Sequence, residues 1–416
     1  LFAVVAIVAL SGPGGGLAAA NGTGVTWIQP APVWPLHHLA CPGAITTTTT
    51  PVRTYLHAVS INGTEKPTYI GKEVIYRRSA NLGKTWPAAV RLTSNRLYEI
   101  CPTIAASGST VVVAWEAAPV AGHSFIELRV SKNHGITWGP TRRMPAPVDA
   151  GGPSVAVTGT TIFVAWSDST PDPRWSRIAS SHDNGATWTL RRLDAKPARR
   201  GTVVAASGST VITAWLRAPD HALIARLSLD GGATWQAPKV IQAPYPDNPQ
   251  LQYSVAARPD RVAIAWSNFL DPVINVRLAT MGVWAAPASV TAPPADPTPV
   301  YGYLHAPIVK LLADTRVGLA FAGCRLDAID GTCEYAFTDT VDDVLWSESQ
   351  NNGIGWTTPN VISPADSAAD GRTWPHTNDI SVAWTSRNLR AVLVSRASGD
   401  PDWFLRNFFT RGYGLP

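Results

Sequence analysis

The chain has 416 residues, a formal net charge of +5 and 15% charged residues. Its 45% apolar content supports a large buried core and excludes global disorder. No run of Lys or Arg exceeds two residues, so no basic stripe marks a nucleic-acid footprint. The 17 tryptophans, against 2 methionines, are the compositional oddity.

At the N-terminus, residues 1–10 (LFAVVAIVAL) are wholly apolar. As a helix they reach about 15 Å, half a bilayer core, so they predict no membrane span. Followed by SGPGGG and the small pair Ala18 and Ala20, the run reads as a secretory signal over 1–20, with a single domain over 21–416. A secreted, extracellular chain is expected to carry disulfides. Cys324 and Cys333 enclose a short loop and form one expected pair, and Cys41 and Cys101 form the other. No cysteine lies in a CxxC or His-flanked pattern, so neither a metal site nor a cofactor is expected.

An octet then recurs: SANLGKTW (79–86), SKNHGITW (131–138), SHDNGATW (181–188), SLDGGATW (228–235) and SQNNGIGW (349–356). Its repeated positions are Ser79, Asn81, Gly83 and Trp86; Ser131, Asn133, Gly135 and Trp138; Ser181, Asp183, Gly185 and Trp188; Ser228, Asp230, Gly232 and Trp235; and Ser349, Asn351, Gly353 and Trp356. ATMGVW, ending at Trp284, is a degenerate copy, and GVTW ends at Trp27. The Ser and Asp or Asn suit hydrogen bonds to a tight turn. The Gly accepts a positive φ, and the Trp plugs an apolar ring beside the next strand. The octet is therefore structural; Asp183 and Asp230 are not read as acids or bases, and the spacing of a calcium loop is absent.

Ahead of each octet runs a β-branched stretch: TVVVAW ending at Trp115, TIFVAW at Trp166, TVITAW at Trp215, RVAIAW at Trp266 and RVGLAF at Phe321. Each unit reads as four short antiparallel strands, A to D, in about 50 residues, which predicts a propeller blade. Residues 380–396 repeat the A–B pair, placing Trp384 on a strand A, and 403–409 become a strand C. GVTWIQPAPV (24–33) resembles a D strand, so the N-terminal strand is expected to complete the last blade. The expected fold is all-β: a seven-bladed propeller of four-stranded antiparallel blades closed by the N-terminal strand, with a six-bladed ring as the alternative.

The octet resembles the Asp-box, or BNR repeat, of the sialidase-like superfamily, with copies over nearly all of residues 21–416. The resemblance implies a propeller, a secreted protein and a bias toward glycan chemistry. Sialidases carry an Arg-Ile-Pro motif near the first blade, three arginines for the sugar carboxylate, a Tyr–Glu pair and an Asp acid/base. Here the first blade begins VWPLHHLACPGAIT, without Arg-Ile-Pro, and Arg177–Ile178 is the only Arg-Ile.

Propeller geometry puts the B–C loops and D-to-A connections at one end, where ligands gather. Aligned strand starts bring His38, Tyr98, Glu99, Asp149, Arg199, Arg200, Gln250, His305 and His376 there. Trp34, Trp175, Trp374 and Trp403 map to the same end, as does Arg372 in the long connection 364–379. The candidate ligand-binding set is Trp34, Trp175, Trp374, Trp403, Arg199, Arg200, Arg372, His38 and His376, because indoles stack on sugar rings and Arg and His bind hydroxyls. Glycoside hydrolysis needs two carboxylates across a ring. The candidates are Glu99 with Tyr98 beside it, Asp149 and Asp370, with Asp168, Asp247 and Asp366 as further partners. The reading is a secreted propeller that recognises extracellular glycans or glycoconjugates, with hydrolysis as its enzymatic form. A non-catalytic propeller that binds a protein partner is the alternative, and an active exo-sialidase a third.

Overall fold

In a computed structural model, the protein is described over residues 44–62, 73–292, 301–325 and 342–363, short loop gaps aside. It is also described over several strands of the two ends. Among the described residues every regular element is a β-strand. Among the described residues no helix is long and apolar enough to cross a membrane. The apolar run at 1–10 and the signal read over 1–20 lie outside the described residues.

Six antiparallel sheets each use one continuous stretch of chain. Blade 1 has strands A to D at Ala44–Thr49, Thr54–Asn62, Glu73–Ser79 and Val90–Arg91. Blade 2 has Tyr98–Ser107, Thr110–Ala118, Phe125–Ser131 and Arg142–Arg143. Blade 3 has Asp149–Thr158, Thr161–Thr170, Ser176–Ser181 and Thr189–Arg192. Blade 4 has Val203–Ser207, Thr210–Leu216, Leu223–Ser228 and Lys239–Gln242. Blade 5 has Gln252–Ala257, Arg261–Ser267, Val273–Thr280 and an outer edge split into Val283–Trp284 and Ala288–Thr291. Blade 6 has Tyr301–Leu311, Val317–Arg325, Asp342–Ser349 and Asn360–Ser363.

Among the described residues the count of single-stretch blades is thus six, the number given as the alternative, and these six alone do not establish a seventh. The remaining strands form one composite sheet. Ile380–Trp384, Arg390–Asp400 and Trp403–Gly414 pair in order, and Thr26–Trp27, Ala31–Pro32 and His37–His38 pair with the last of them. Innermost strands touch from blade 1 through blade 6, and Ile380–Trp384 touches strand A of both blade 6 and blade 1.

The B strands are continuous apolar runs because both faces are covered. In blade 2, Val111, Val113 and Trp115 join the core shared with blade 1, while Val112 and Ala114 join that shared with blade 3. Blade 3 repeats the alternation, with Ile162, Val164 and Trp166 toward blade 2 and Phe163 and Ala165 toward blade 4. Period-two side-chain alternation therefore assigns each B strand to two cores at once. Trp115, Trp166, Trp215 and Phe321 are fully buried in these interfaces.

The octet turns form as their residue types demand. Ser228 Oγ accepts from Gly232 N at 2.8 Å and donates to Asp230 Oδ1 at 2.7 Å, and Asp230 Oδ1 accepts from Thr234 N at 2.8 Å. With Asn in place of Asp, Ser131 and Asn133 make the same bonds to Gly135 and Thr137. The tryptophans stand just outside the outer strands. Trp86, Trp138, Trp188, Trp235 and Trp356 precede strand D rather than start it. From blade 2 onward each packs on the core shared with the preceding blade: Trp138 on blade 1, Trp188 on blade 2 and Trp235 on blade 3. The turn glycine faces the same way. At Gly232, with φ of 88°, an added Cβ would lie 2.8 Å from Phe163 of blade 3.

Candidate functional site

The antiparallel order places the B–C loops and D-to-A connections at one end, as the repeat implied. The start of strand A there has a local device not foreseen from the repeat. Blades 2, 3 and 6 carry a register shift between Ile100 and Thr103, Gly151 and Ser154, and His305 and Ile308. Cys101, Gly152 and Ala306, each at positive φ, occupy the shift. Each is followed by a proline: Pro102, Pro153 and Pro307. Those Xaa-Pro pairs were the available sequence signal. Bulges of this kind re-aim side chains beside sites.

Because of the bulge, the residue two before the positive-φ position turns inward. Ala150 in blade 3 and Leu304 in blade 6 are fully buried, and so is Glu99 at the corresponding place in blade 2. Glu99 therefore occupies a core position and is not on the open mouth of the channel. Burial pushes its carboxyl up to about 8; the hydrogen bond from Asn95 opposes the shift and neighbouring Glu73 adds to it. Asn95 Nδ2 donates to Glu99 Oε1 at 2.7 Å, and Asn95 N donates to Glu73 Oε1 at 3.1 Å. Glu73 and Glu127 are also buried. Burial raises Glu127 too, against the pull of Arg143. Three buried glutamates thus meet between blades 1 and 2; only Glu99 had been singled out.

Beyond this cluster, the end carries paired polar groups. Asp149 sits 2.7 Å from His123 Nδ1, with side-chain exposures of 13% and 87%. Arg177 Nε donates to both carboxylate oxygens of buried Asp168, at 2.7 and 2.9 Å, so this Arg-Ile arginine is committed within its own blade. Arg199 Nη1 lies 3.1 Å from His221 Nε2. Trp175, half-buried in the B–C loop of blade 3, is covered on one side by the Arg192 guanidinium, 4.1 Å from the ring centroid. Tyr98 is half-buried, opposite Ala118 in the ladder, and His305 is buried at the start of blade 6. His123, Arg192 and His221 were not foreseen; they lie in loops or an outer strand where the repeat sets no pattern.

Several expected residues lie outside the described residues: Trp34, Arg200, Asp247, Gln250, Asp366, Asp370, Arg372, Trp374 and His376. His38 and Trp403 are described only as members of strands. Neither Cys101 nor Cys324 is a free thiol, and Cys41 and Cys333 lie outside the described residues. Among the described residues no three His, Cys, Asp or Glu side chains assemble into a metal site.

No family model matches the chain. No curated protein matches it either. Solved structures do. A Trypanosoma rangeli sialidase bound to the inhibitor DANA is 9% identical, with a TM-score of 0.50 over 94% of this chain and 60% of that one. The Hadza microbial sialidase Hz136 is 15% identical, with a TM-score of 0.45 over 67% of this chain and 63% of that one. YCF48 bound to a D1 peptide is 12% identical, with a TM-score of 0.48 over 96% and 97%. The chain spans about three fifths of the length of the two sialidases. The likeness to the Trypanosoma rangeli sialidase, at a TM-score of 0.50 and 9% identity, speaks for the fold alone. With the repeat and its hydrogen-bonded turns, it gives this chain the fold of a sialidase-like, Asp-box β-propeller.

Proposed function

We propose that the chain is a secreted propeller that recognises extracellular glycans at the B–C and D-to-A end. The observation that carries this reading is the composition of that end in blades 2 to 4. An indole backed by a guanidinium (Trp175 and Arg192) shares it with the close Asp149–His123 contact and the hydrogen-bonded pair Arg199–His221. An indole face takes the apolar side of a sugar ring, and oriented charged groups take its hydroxyls. Trp34, Trp374, Trp403, Arg200, Arg372, His38 and His376 extend the reading to the composite sheet and its connections. Secretion and the pairs Cys324–Cys333 and Cys41–Cys101 belong to the same reading.

Recognition is favoured over hydrolysis by one feature. Glu99, the acid nearest a catalytic role in the sequence, is fully buried and tied to Asn95. A hydrolase would need a carboxylate pair open to the ring. The test is a glycan array together with a glycosidase panel that includes a fluorogenic sialoside. Array binding that drops at least about tenfold in Trp175→Ala, and further when Trp374→Ala and Trp403→Ala are added, supports the reading. Binding untouched by all three changes would place the site elsewhere. Sugar release abolished by Asp149→Asn or Asp370→Asn would replace recognition with catalysis.

A further inference from the structure

The opposite end of the blades, formed by the A–B turns and the octet turns, carries an arrangement that folding does not require. Eight large apolar side chains stand out as exposed among the described residues; five of them sit on these turns (Val52, Ile136, Leu229, Met281 and Ile354), and a sixth, Val283, opens the outer edge strand of blade 5 directly after its turn. The other two, Val90 and Val240, lie on outer D strands. The turns do not need the six. In the octet the sixth residue is Lys84, Ile136, Ala186, Ala233 or Ile354. The bonds that close the turn run through Ser, Asp or Asn and backbone N–H groups. Yet Ile136 is 61% exposed and Ile354 is 82% exposed. In blade 5 the Ser and Asp of the octet are absent. Met281, at a positive φ of 48°, and Val283 flank Gly282 there, 68% and 75% exposed. Val52, 88% exposed, tips the A–B turn of blade 1.

Cations accompany these tips. Arg53 adjoins Val52, Lys84 tips the octet turn of blade 1, and Lys132 lies in the same turn as Ile136; all three are exposed. The described turns of blades 1 and 2 at this end hold no acidic side chain. Elsewhere on this end the described acids are Asp183, Asp230, Asp260 and half-buried Glu348, whose oxygens accept from Trp346 and Gln350. Asp183 and Asp230 are tied into their own turns by hydrogen bonds from Thr187 and Thr234.

We propose that this end of the propeller docks on an anionic lipid surface, with the aliphatic tips entering the interface and Arg53, Lys84 and Lys132 facing the headgroups. The geometry favours a bilayer over a protein. A stable protein contact needs a contiguous apolar centre, within a patch of about 800 Å² per partner. Here the tips stand on separate turns of blades 1, 2, 4, 5 and 6, each beside polar backbone. A fluid bilayer accepts separate shallow insertions and rewards interleaved cations. The proposal is independent of the glycan reading, since it concerns the other end of every blade.

The experiment is co-flotation of the whole protein with extruded vesicles, either pure phosphatidylcholine or phosphatidylcholine with about a third phosphatidylserine. Binding to the anionic vesicles at low salt, weakened by high salt and weaker on neutral vesicles, is expected. The variant Ile136→Ser, Met281→Ser, Val283→Ser, Ile354→Ser should lose at least about tenfold of that partitioning with its melting transition unchanged. Arg53→Glu, Lys84→Glu, Lys132→Glu should do the same by removing charge alone. Three results would each overturn the proposal: no flotation with anionic vesicles, flotation equal on both vesicle types, or flotation undiminished in the serine variant. A fourth, a self-association of the wild type in sedimentation that the serine variant abolishes while lipid binding is absent, would make a second copy the occupant.

Discussion

Glu99 shows how one side chain can be placed by backbone geometry against its own chemistry. The bulge at Cys101 turns it into a position that Ala150 and Leu304 fill in other blades. Its proton is held to about pH 8 by burial, with Glu73 and Glu127 adding like charge and no cation among the influences on it. The sign follows from linkage. The folded carboxyl titrates above its unfolded value of 4.5, so folding is unpenalised below that value. Stability then falls as pH rises toward about 8 and levels off beyond it. The total loss is of the order of a few kcal/mol. Glu99→Gln keeps an acceptor for Asn95 and has no proton to lose. Urea unfolding between pH 5 and 9 should show the wild type losing stability across this window and the variant staying nearly flat. Equal slopes for the two proteins would refute this account of Glu99. That Glu99 is unusual was legible from the scarcity of Glu and its place at a strand start. That it is inaccessible was not, because a bulge of one residue exchanges buried and open positions without altering composition.

At the scale of the element, strand B and the octet turn work as one unit. The Trp of strand B and the Trp closing the octet both pack toward the preceding blade, as Trp166 and Trp188 do in the core shared by blades 2 and 3. Position 166 asks for aromatic volume more than for an indole N–H. Phe321 fills the same place in blade 6, and Trp166 Nε1 has no hydrogen-bond partner. Trp166→Ala should therefore cost about 3–5 kcal/mol by leaving a cavity. Trp166→Phe should cost roughly 1–2 kcal/mol. Chemical denaturation of both variants checks the order; an equal loss for the two would show that the indole N–H matters after all. These strands were readable in advance because a six-residue β-branched run ending in an aromatic, repeated about every 50 residues, has few other structures open to it. The side to which each tryptophan turns was not readable, since it depends on which neighbouring blade faces each pleat.

For the whole molecule, the joint between the two ends of the chain is decisive. Thr26–Trp27 pairs with Trp27 opposite Tyr413, and Ala31–Pro32 pairs with Pro32 opposite Phe409. The outer strand of the composite sheet thus comes from the start of the chain, while its inner strand, Ile380–Trp384, abuts blades 6 and 1. Deleting residues 24–33 exposes the edge of Trp403–Gly414 and should lower the melting temperature of the entire propeller, with aggregation on heating. A melting transition equal to that of the full chain would mean that the six single-stretch blades hold by themselves.

Sequence alone determined the strand content, the blade length, the turn chemistry of the octet and the antiparallel order that sorts loops to two ends. These depend on local residue types and on a repeat, and both are written along the chain. It also accounted for most of the tryptophans as architecture. Tertiary structure decided what no local pattern encodes: that Glu99 is a core residue beside Glu73 and Glu127, that Arg177 is spent on Asp168, and that the exposed aliphatic tips gather at one end. Each of these depends on contacts between residues tens of positions apart, or on a bulge that reverses the facing of a strand. Burial and charge partners are properties of the assembled blades, and composition and spacing leave them open.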